Sequence, residues 1–268
     1  MSRPSFFERY GPVAVVAGAS EGLGAAFAEA LAARGLDLVL LARREGALRE
    51  CAARIVEAHR VTVTPVVCDL KDASFAEALV RATAGKHVGT GIYNAGFSFL
   101  SPLLDRPLED ALQVVDVNVK GPLRFIHALA PAMRARGRGG LVLMSSIAGF
   151  HGAPNLAAYA ASKAFNIVLG ESLWAELRPS GVDVLVSCAG AVRTPNYAKA
   201  LAREAPGTLD PRAVAEHTLD ALGVGPLSIP GAVNKVARFV LGRMMPRASV
   251  IALMERSTRS LREERERS

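Results

Sequence analysis

The sequence is poor in cysteine and contains no long apolar run. Its 268 residues include three cysteines, Cys51, Cys68 and Cys188, without a Cys-x-x-Cys pair or an adjacent histidine. This spacing excludes a disulfide framework and indicates no metal site, so we expect a reducing, cytoplasmic setting. No uncharged apolar stretch reaches the ~20 residues that span a bilayer. The length and the 50% apolar content predict a globular chain with a large core.

Acidic residues are outnumbered, but the imbalance is local. The chain has 32 basic and 25 acidic residues, a net charge of +7. Residues 231–268 contain nine basic and four acidic groups, so +5 of the +7 lies there and the other 230 residues carry +2. A nucleic-acid-binding protein would spread basic charge over a recognition face. We therefore expect no nucleic-acid partner.

Short apolar runs alternate with longer segments of helical period. The runs predict strands at 13–17, 36–41, 62–67, 88–93, 141–145 and 182–187, and the longer segments predict helices at 22–34, 45–60, 73–84, 108–136 and 157–178. The strands lack polar alternation, as expected when both faces are buried. The sequence therefore predicts an α/β fold: a doubly wound parallel sheet with helices on both faces, forming a single domain over residues 1–230.

A glycine-rich turn follows the first predicted strand and opens the first long helix. It reads Gly18-x-Ser20-x-Gly22-Leu23-Gly24. Backbone without Cβ atoms, next to free helix N–H groups, predicts a phosphate site. The same residues match a hydrolase nucleophile elbow, with Ser20 as nucleophile and His217 as base. That alternative is disfavoured because such an elbow usually follows several strands.

A tyrosine and a lysine one helical turn apart indicate acid–base chemistry. Tyr159 and Lys163 fall near the start of a predicted helix and face the same side. A nearby ammonium group lowers the pKa of a phenol towards the working pH. Ser145 and Ser146 end a strand thirteen residues earlier, at the sheet edge where open α/β proteins bind ligands.

With these motifs in order, residues 10–230 resemble the short-chain dehydrogenase/reductase family, which has a Rossmann-like fold. Gly18, Gly22 and Gly24 match its coenzyme turn, and Asp69-Leu70 its adenine-contacting pair. Tyr93-Asn94-Ala95-Gly96 matches its Asn-Asn-Ala-Gly element except at Tyr93. The segment from Cys188 to Thr194 matches its nicotinamide-flanking segment, with Ala189 in place of proline. The branch of ketoacyl and hydroxysteroid reductases is the most similar.

The resemblance implies hydride transfer between a nicotinamide and a carbonyl or alcohol carbon. The implied catalytic residues are Asn118, Ser146, Tyr159 and Lys163, with Tyr159 as proton donor and Asn118 positioning a water. The implied substrate contacts are Ser146, Phe97, Phe150 and Tyr197. The implied coenzyme contacts are Gly18, Ser20, Gly22, Leu23, Gly24, Arg43, Arg44, Asp69, Leu70, Asn94, Ala95, Gly96, Tyr159, Lys163, Gly190, Val192 and Thr194.

The residues after the second strand indicate the coenzyme. An acidic residue there would bind the ribose diol of NAD, whereas Arg43 and Arg44 suit a 2′-phosphate, so we expect NADP(H) rather than NAD(H). Glu21 argues weakly against this. The apolar residues near the catalytic motif predict a lipophilic carbonyl substrate. A coenzyme-binding regulatory protein without turnover is the alternative, and the resemblance implies a homodimer or homotetramer.

The basic C-terminal region, 231–268, extends beyond this resemblance. It predicts two amphipathic helices, 232–245 and 248–267, with apolar stripes and basic faces. The stripes comprise Val236, Phe239, Val240 and Met244, then Val250, Ile251, Leu253, Met254 and Leu261. Two interpretations remain: docking on the substrate cleft or a partner subunit, which we favour, or lying on an anionic membrane surface.

Overall fold

The strands form one parallel sheet. The computed structural model of the protein describes residues 4–195, 197 and 204–267. The strands are β1 (Val13–Ala17), β2 (Asp37–Ala42), β3 (Val63–Val67), β4 (Val88–Tyr93), β5 (Gly139–Ser146), β6 (Val182–Ala189) and β7 (Leu227–Ser228). Their order is β3-β2-β1-β4-β5-β6-β7, and every neighbouring pair is parallel. The predicted fold class is confirmed.

Helices cover both faces of this sheet. They are α1 (Phe6–Tyr10), α2 (Gly22–Ala32), α3 (Glu45–His59), α4 (Phe75–Thr83), α5 (Leu108–Val115), α6 (Gly121–Arg136), α7 (Ala157–Leu177), α8 (Pro211–Ala221), α9 (Ala232–Arg243) and α10 (Arg247–Arg267). Phe27 and Leu48, of α2 and α3, are buried on one face, while Phe75 and Phe125, of α4 and α6, are buried on the other. Strands buried from both sides explain the absence of polar alternation.

The structure differs from the sequence prediction in a few places. Residues 108–136 form α5 and α6 joined by a π-helical turn, Asp116–Lys120, rather than one regular α-helix. β5 and β6 are longer than predicted because their ladder runs as far as Ser146 and Ala189. Proline at 189 would lack an N–H, so alanine there is compatible with a continued strand. No helix in the described residues is long and apolar enough to cross a membrane.

The position of α7 on the sheet depends on a close approach at Gly170. This glycine is buried against β6, and a Cβ atom added there would lie 2.1 Å from Cγ2 of Val186. Such an overlap requires either the Val186 side chain or the helix to move. Because the same helix carries Tyr159 and Lys163, this contact also sets the height of those side chains above β5 and β6.

Replacing Gly170 with alanine should therefore destabilise the protein through overpacking. We expect Gly170→Ala to lower the free energy of unfolding by roughly 1–3 kcal/mol, measured by denaturant titration. In a Val186→Ala background the same change should be neutral or stabilising, because the clashing methyl is gone and alanine favours a helix over glycine by about 1 kcal/mol. An equal loss in both backgrounds would show that the contact does not fix α7.

Candidate active site

A single cleft of about 570 Å³ joins the glycine turn to the Tyr159 and Lys163 side chains. It opens at the carboxyl ends of β1, β4, β5 and β6, where the strand order reverses and open α/β sheets bind ligands. The sequence-predicted residues on its wall are Gly18, Ser20, Gly22, Leu23, Arg43, Arg44, Asp69, Leu70, Asn94, Ala95, Gly96, Phe97, Ser146, Tyr159, Lys163, Gly190, Val192, Thr194 and Tyr197. Gly18 and Tyr197, which are 179 positions apart in the chain, thus share one surface.

The glycine turn is packed so tightly that no side chain fits at Gly18 or Gly24. Gly18 has a positive φ of 82°, and a Cβ there would lie 2.8 Å from the Cα of Ala95. A Cβ on Gly24 would lie 1.8 Å from the carbonyl oxygen of Gly18. Asn94 Nδ2 donates a hydrogen bond to this same carbonyl at 3.0 Å. Gly24 therefore acts in packing behind the turn and is absent from the cleft wall, although the resemblance implied coenzyme contact.

The amino end of α2 offers unpaired N–H groups to the cleft. Its N-cap, Glu21, makes no side-chain capping bond, so the first-turn N–H donors have no side-chain acceptor at the cap position. Gly22 and Leu23 of this turn line the cleft. Free helix N–H groups and the positive end of the helix dipole favour a phosphate. Together with the space left by the absent Cβ atoms, this cradle fits the pyrophosphate of a dinucleotide.

Two arginines after β2 form ion pairs at the other end of the cleft. Arg44 Nη2 lies 2.7 Å from Oε1 of Glu21 and 3.4 Å from the Ser20 hydroxyl. Arg43 Nη1 lies 3.8 Å from Oδ2 of Asp69. Both guanidinium groups remain more than half exposed, so a ligand can reach them. The sequence did not show that Glu21 pairs with Arg44, because the two residues meet only when β1 and β2 are side by side.

The acid–base residues meet between β5 and α7. The Lys163 ammonium is buried, donates to the carbonyl oxygen of Met144 at 2.9 Å and lies 5.5 Å from the centroid of the Tyr159 ring. Burial lowers the pKa of Lys163 to about 8. Burial also raises the pKa of the Tyr159 phenol, and the neighbouring Ser146 hydroxyl lowers it. The sequence prediction that Lys163 lowers this pKa is therefore wrong: burial raises it, and the group that opposes burial is Ser146.

Asn118 occupies the π-helical turn and holds the loop after β4. Its Oδ1 accepts the Phe97 N–H at 2.8 Å, and its Nδ2 donates to the Phe97 carbonyl at 2.9 Å. Tyr93 supports the turn, because its hydroxyl donates to the Val117 carbonyl at 2.7 Å. Such π-helical turns are rare and frequently occur at functional sites. The tyrosine in place of the family asparagine therefore still makes a tertiary hydrogen bond, which joins the end of β4 to the π-helical turn.

Besides Gly24 and the buried Asn118, two residues named from the sequence do not lie on the cleft wall. Phe150 does not line the cleft, since the Arg238 guanidinium covers its ring at 4.1 Å from the centroid. Nε2 of His217 lies 3.0 Å from the Ser228 hydroxyl. His217 is therefore paired with Ser228 and not with Ser20, as the hydrolase alternative would require. Among the cleft residues that the sequence did not indicate are Gln113 and Val117. Gln113 lies on α5 and Val117 in the π-helical turn, and these two elements pack against each other and against α7.

The burial of Lys163 predicts a specific dependence of stability on pH. The native ammonium loses its proton near pH 8, whereas the unfolded one loses it near its usual 10.5. Between these values the unfolded state binds more protons, so stability rises with pH by about 1 kcal/mol per unit from this group. Denaturant titrations at several pH values should show the free energy of unfolding of wild type rising relative to that of a Lys163→Met variant between about pH 8 and 10.5. A constant difference would contradict the buried ammonium.

Known proteins resemble this chain over most of its length. A 7beta-hydroxysteroid dehydrogenase of Collinsella aerofaciens is 31% identical over 85% of this chain and 89% of its own length. A very-long-chain 3-oxoacyl-CoA reductase of Pyricularia oryzae is 36% identical over 72% of this chain and 62% of its own. An inactive hydroxysteroid dehydrogenase-like protein 1 of Mus musculus is 29% identical over 98% of this chain and 81% of its own.

Solved structures share the fold over most of the chain. A 7beta-hydroxysteroid dehydrogenase has a TM-score of 0.88 at 29% identity, covering 94% of this chain and 99% of that one. A short-chain dehydrogenase of Sphingobium yanoikuyae in complex with NADPH has a TM-score of 0.77 at 28% identity, covering 88% and 97%. A 3-oxoacyl-[acyl-carrier protein] reductase of Brucella melitensis with bound NAD has 0.71 at 25%, covering 85% and 94%.

The residue range matched by the family model contains the residues that line the cleft. The family model for short chain dehydrogenases matches residues 12–205, which include the glycine turn, Asn118, Ser146, Tyr159 and Lys163. The matched range begins just before β1 and ends after β6, so it contains the strand ends that surround the site. The resemblance on separate motifs and the match over the whole range agree, and the chain belongs to the short-chain dehydrogenase family and is related to its ketoacyl and hydroxysteroid reductases.

Proposed function

We propose that the chain catalyses NADP(H)-dependent interconversion of a lipophilic ketone or aldehyde and its alcohol. The observation that carries this proposal is the shared cleft. It contains a phosphate cradle at the amino end of α2 and a tyrosine, lysine and serine at the ends of β5 and α7. A cradle for a dinucleotide and a proton donor on one continuous surface is the arrangement that carbonyl reduction requires.

In the proposed reaction, the position of each of these side chains determines its role. A bound nicotinamide coenzyme supplies the hydride. Ser146 Oγ hydrogen-bonds the substrate oxygen, and Tyr159 donates its proton to that oxygen as negative charge develops there. The raised pKa of Tyr159 keeps its proton in place until substrate arrives. Lys163, held by the Met144 carbonyl, sets the electrostatic potential beside the ring and would hold the ribose of a bound coenzyme.

Asn118 acts as a positioning residue in this proposal. Both of its side-chain hydrogen bonds to Phe97 fix the loop that forms one wall of the cleft. Its Nδ2 also donates to Ser162, on the turn of α7 that separates Tyr159 from Lys163. The amide thus ties the wall to the catalytic helix. The water that the family resemblance assigns to Asn118 stays a prediction.

The preference for NADP(H) is supported by the charges at the adenosine end. Arg43 and Arg44 are exposed on the cleft wall, and no acidic residue follows β2 at the position where a ribose diol would bind. Glu21 and Asp69 hold the two guanidinium groups over the cleft. This pairing also screens their charge, which reduces the advantage of a 2′-phosphate. Related structures contain either coenzyme, so the preference depends on these residues.

A lipophilic substrate is supported by the wall next to Tyr159. Phe97, Val117 and Tyr197 line this end, with Ser98 and Gln113 as its polar groups. Among the described residues, the only carboxylates on the cleft wall are Glu21 and Asp69, at the adenosine end. Tyr197 is fixed in place, because its hydroxyl accepts the Ala205 N–H at 2.9 Å. The names of the relatives, a hydroxysteroid dehydrogenase and an oxoacyl-CoA reductase, are consistent with a large apolar carbonyl compound.

A homo-oligomer forms part of the proposal. Leu108 and Leu112 of α5 and Val168 of α7 are large apolar side chains exposed on neighbouring helices. Exposed apolar residues on adjacent elements favour burial against a second copy. Contact through α5 and α7 would bury these three side chains between two copies.

A second function, coenzyme binding without turnover, is favoured by one comparison. Relatives from mouse and human that are 29% and 30% identical over 98% and 91% of this chain are named inactive. In that case the cleft would bind a dinucleotide as a signal, and Tyr159 would serve only in packing. Activity and binding therefore have to be measured separately.

Replacing Tyr159 with phenylalanine separates the two functions. We expect Tyr159→Phe to lower kcat on a ketone or aldehyde substrate by about 10²- to 10⁴-fold, because the general acid is lost. Coenzyme affinity, followed by fluorescence titration, should change little. Tyr10→Phe is a matched control, since Tyr10 is a buried tyrosine of α1 outside the cleft. Turnover preserved in Tyr159→Phe would contradict the assigned proton donor.

Coenzyme preference should depend on the pair formed by Arg44 and Glu21. We expect Arg44→Ala to weaken NADPH binding by roughly 10- to 100-fold, the value of a charged hydrogen bond, with little effect on NADH. Glu21→Gln should strengthen NADPH binding by freeing the guanidinium group. Titration calorimetry measures both. Arg49→Ala, on α3 outside the cleft, is the control. Equal losses for the two coenzymes in Arg44→Ala would exclude the phosphate contact.

A further inference from the structure

Helix α9 exposes an apolar surface on its outer side. Its inner side is anchored to the cleft loops through Asn234, which is buried and donates to the carbonyls of Pro230 at 3.0 Å and Gly207 at 3.3 Å. Arg238, one turn later, lies over the Phe150 ring. These contacts fix which side of the helix faces the protein. The side opposite to Asn234 and Arg238 therefore faces outward.

That outer side is apolar, the reverse of an ordinary surface helix. Val236 is 62% exposed, Phe239 61% and Met244 70%, and Val233 and Val240 are also exposed. At 100° per residue these five side chains fall within one continuous arc of about 140°. A surface helix of a globular protein normally turns its polar side to water. We name Val233, Val236, Phe239, Val240 and Met244 the α9 stripe.

The charged residues in the chain segment around the α9 stripe all have one sign. No aspartate or glutamate occurs between Asp220 and Glu255 in the sequence, whereas this interval contains Lys235, Arg238, Arg243 and Arg247. Lys235 and Arg243 are exposed on α9 itself, and Arg243 lies within the arc of the stripe. An apolar arc interleaved with cations matches an interfacial helix that lies on anionic lipid.

Helix α10 does not cover this stripe, because it packs elsewhere. Its Val250 is fully buried, and its Thr258 accepts a hydrogen bond from Asn155 Nδ2 at 3.2 Å. Asn155 lies in the loop between Ser146 and Tyr159, so α10 docks beside the catalytic segment. The two tail helices thus have different surroundings: the stripe of α10 contributes to docking, and the stripe of α9 faces outward.

We propose that the α9 stripe is a membrane-contact surface that docks the protein on an anionic phospholipid bilayer. A second copy of this chain fits less well, because two copies meeting at the stripe would bring Arg243 and Lys235 together with no acidic partner in the same interval. Bilayer phosphates pair with these cations while the valine, phenylalanine and methionine side chains enter the acyl boundary. This surface is independent of the proposed hydride transfer.

Vesicle sedimentation of the purified full chain tests the proposal. We expect binding to phosphatidylcholine vesicles that contain about 30% phosphatidylglycerol, and little binding to phosphatidylcholine alone. The double variant Val236→Ser/Phe239→Ser should lower the partition coefficient about tenfold or more, as expected when buried apolar area is lost. Lys235→Gln/Arg243→Gln should weaken binding to the anionic vesicles, as should raising the salt concentration to about 0.5 M.

Matched controls separate the stripe from general surface hydrophobicity and from assembly. Val56→Ser/Val80→Ser removes two exposed valines from α3 and α4 and should leave vesicle binding unchanged. Three results would overturn the proposal. They are no binding of wild type to the anionic vesicles, equal binding by Val236→Ser/Phe239→Ser, and a smaller native mass of that variant by light scattering, which would make the stripe a contact between copies.

Discussion

The close contact between α7 and the sheet is the constraint on which the site depends. Because Gly170 has no Cβ atom, this helix lies so close to β6 that an added Cβ would overlap the Val186 side chain. At that distance the Lys163 ammonium meets the Met144 carbonyl of β5, and the Tyr159 hydroxyl comes beside Ser146. A helix even slightly further out would leave a buried ammonium without a hydrogen-bond acceptor, which is costly in free energy. Packing and chemistry are therefore set by the same contact.

The parallel sheet brings distant residues to this helix. In a doubly wound sheet the loops at the carboxyl ends share one edge, so a turn at residue 18 and a tyrosine at residue 159 belong to one cleft. The same edge places Glu21 against Arg44 and Asp69 against Arg43. The first ion pair joins the ends of β1 and β2, and the second joins the ends of β2 and β3. The electrostatic character of the adenosine end is thus a consequence of strand order.

Much of the fold was predictable because its signals are local. Apolar runs such as 13–17 and 88–93 are strands with the predicted bounds, since a strand buried on both faces needs apolar residues throughout. The π-helical turn at Asn118 was not predictable, because it depends on Tyr93 reaching the Val117 carbonyl from β4. Gln113 and Val117 were missed as cleft residues for the same reason. The separate surroundings of α9 and α10 likewise come from tertiary contacts, at Asn234 and Thr258.

The proposed activity of this cleft is hydride transfer from a nicotinamide coenzyme to a carbonyl carbon. Deuterium transfer tests it most directly: NADPH labelled at C4 is incubated with the wild-type protein and a panel of apolar ketones and aldehydes, and the products are examined by mass spectrometry. The account predicts an alcohol with deuterium on the carbon that carries the hydroxyl group. Tight coenzyme binding with no deuterium transfer to any member of the panel would contradict it and favour the regulatory function.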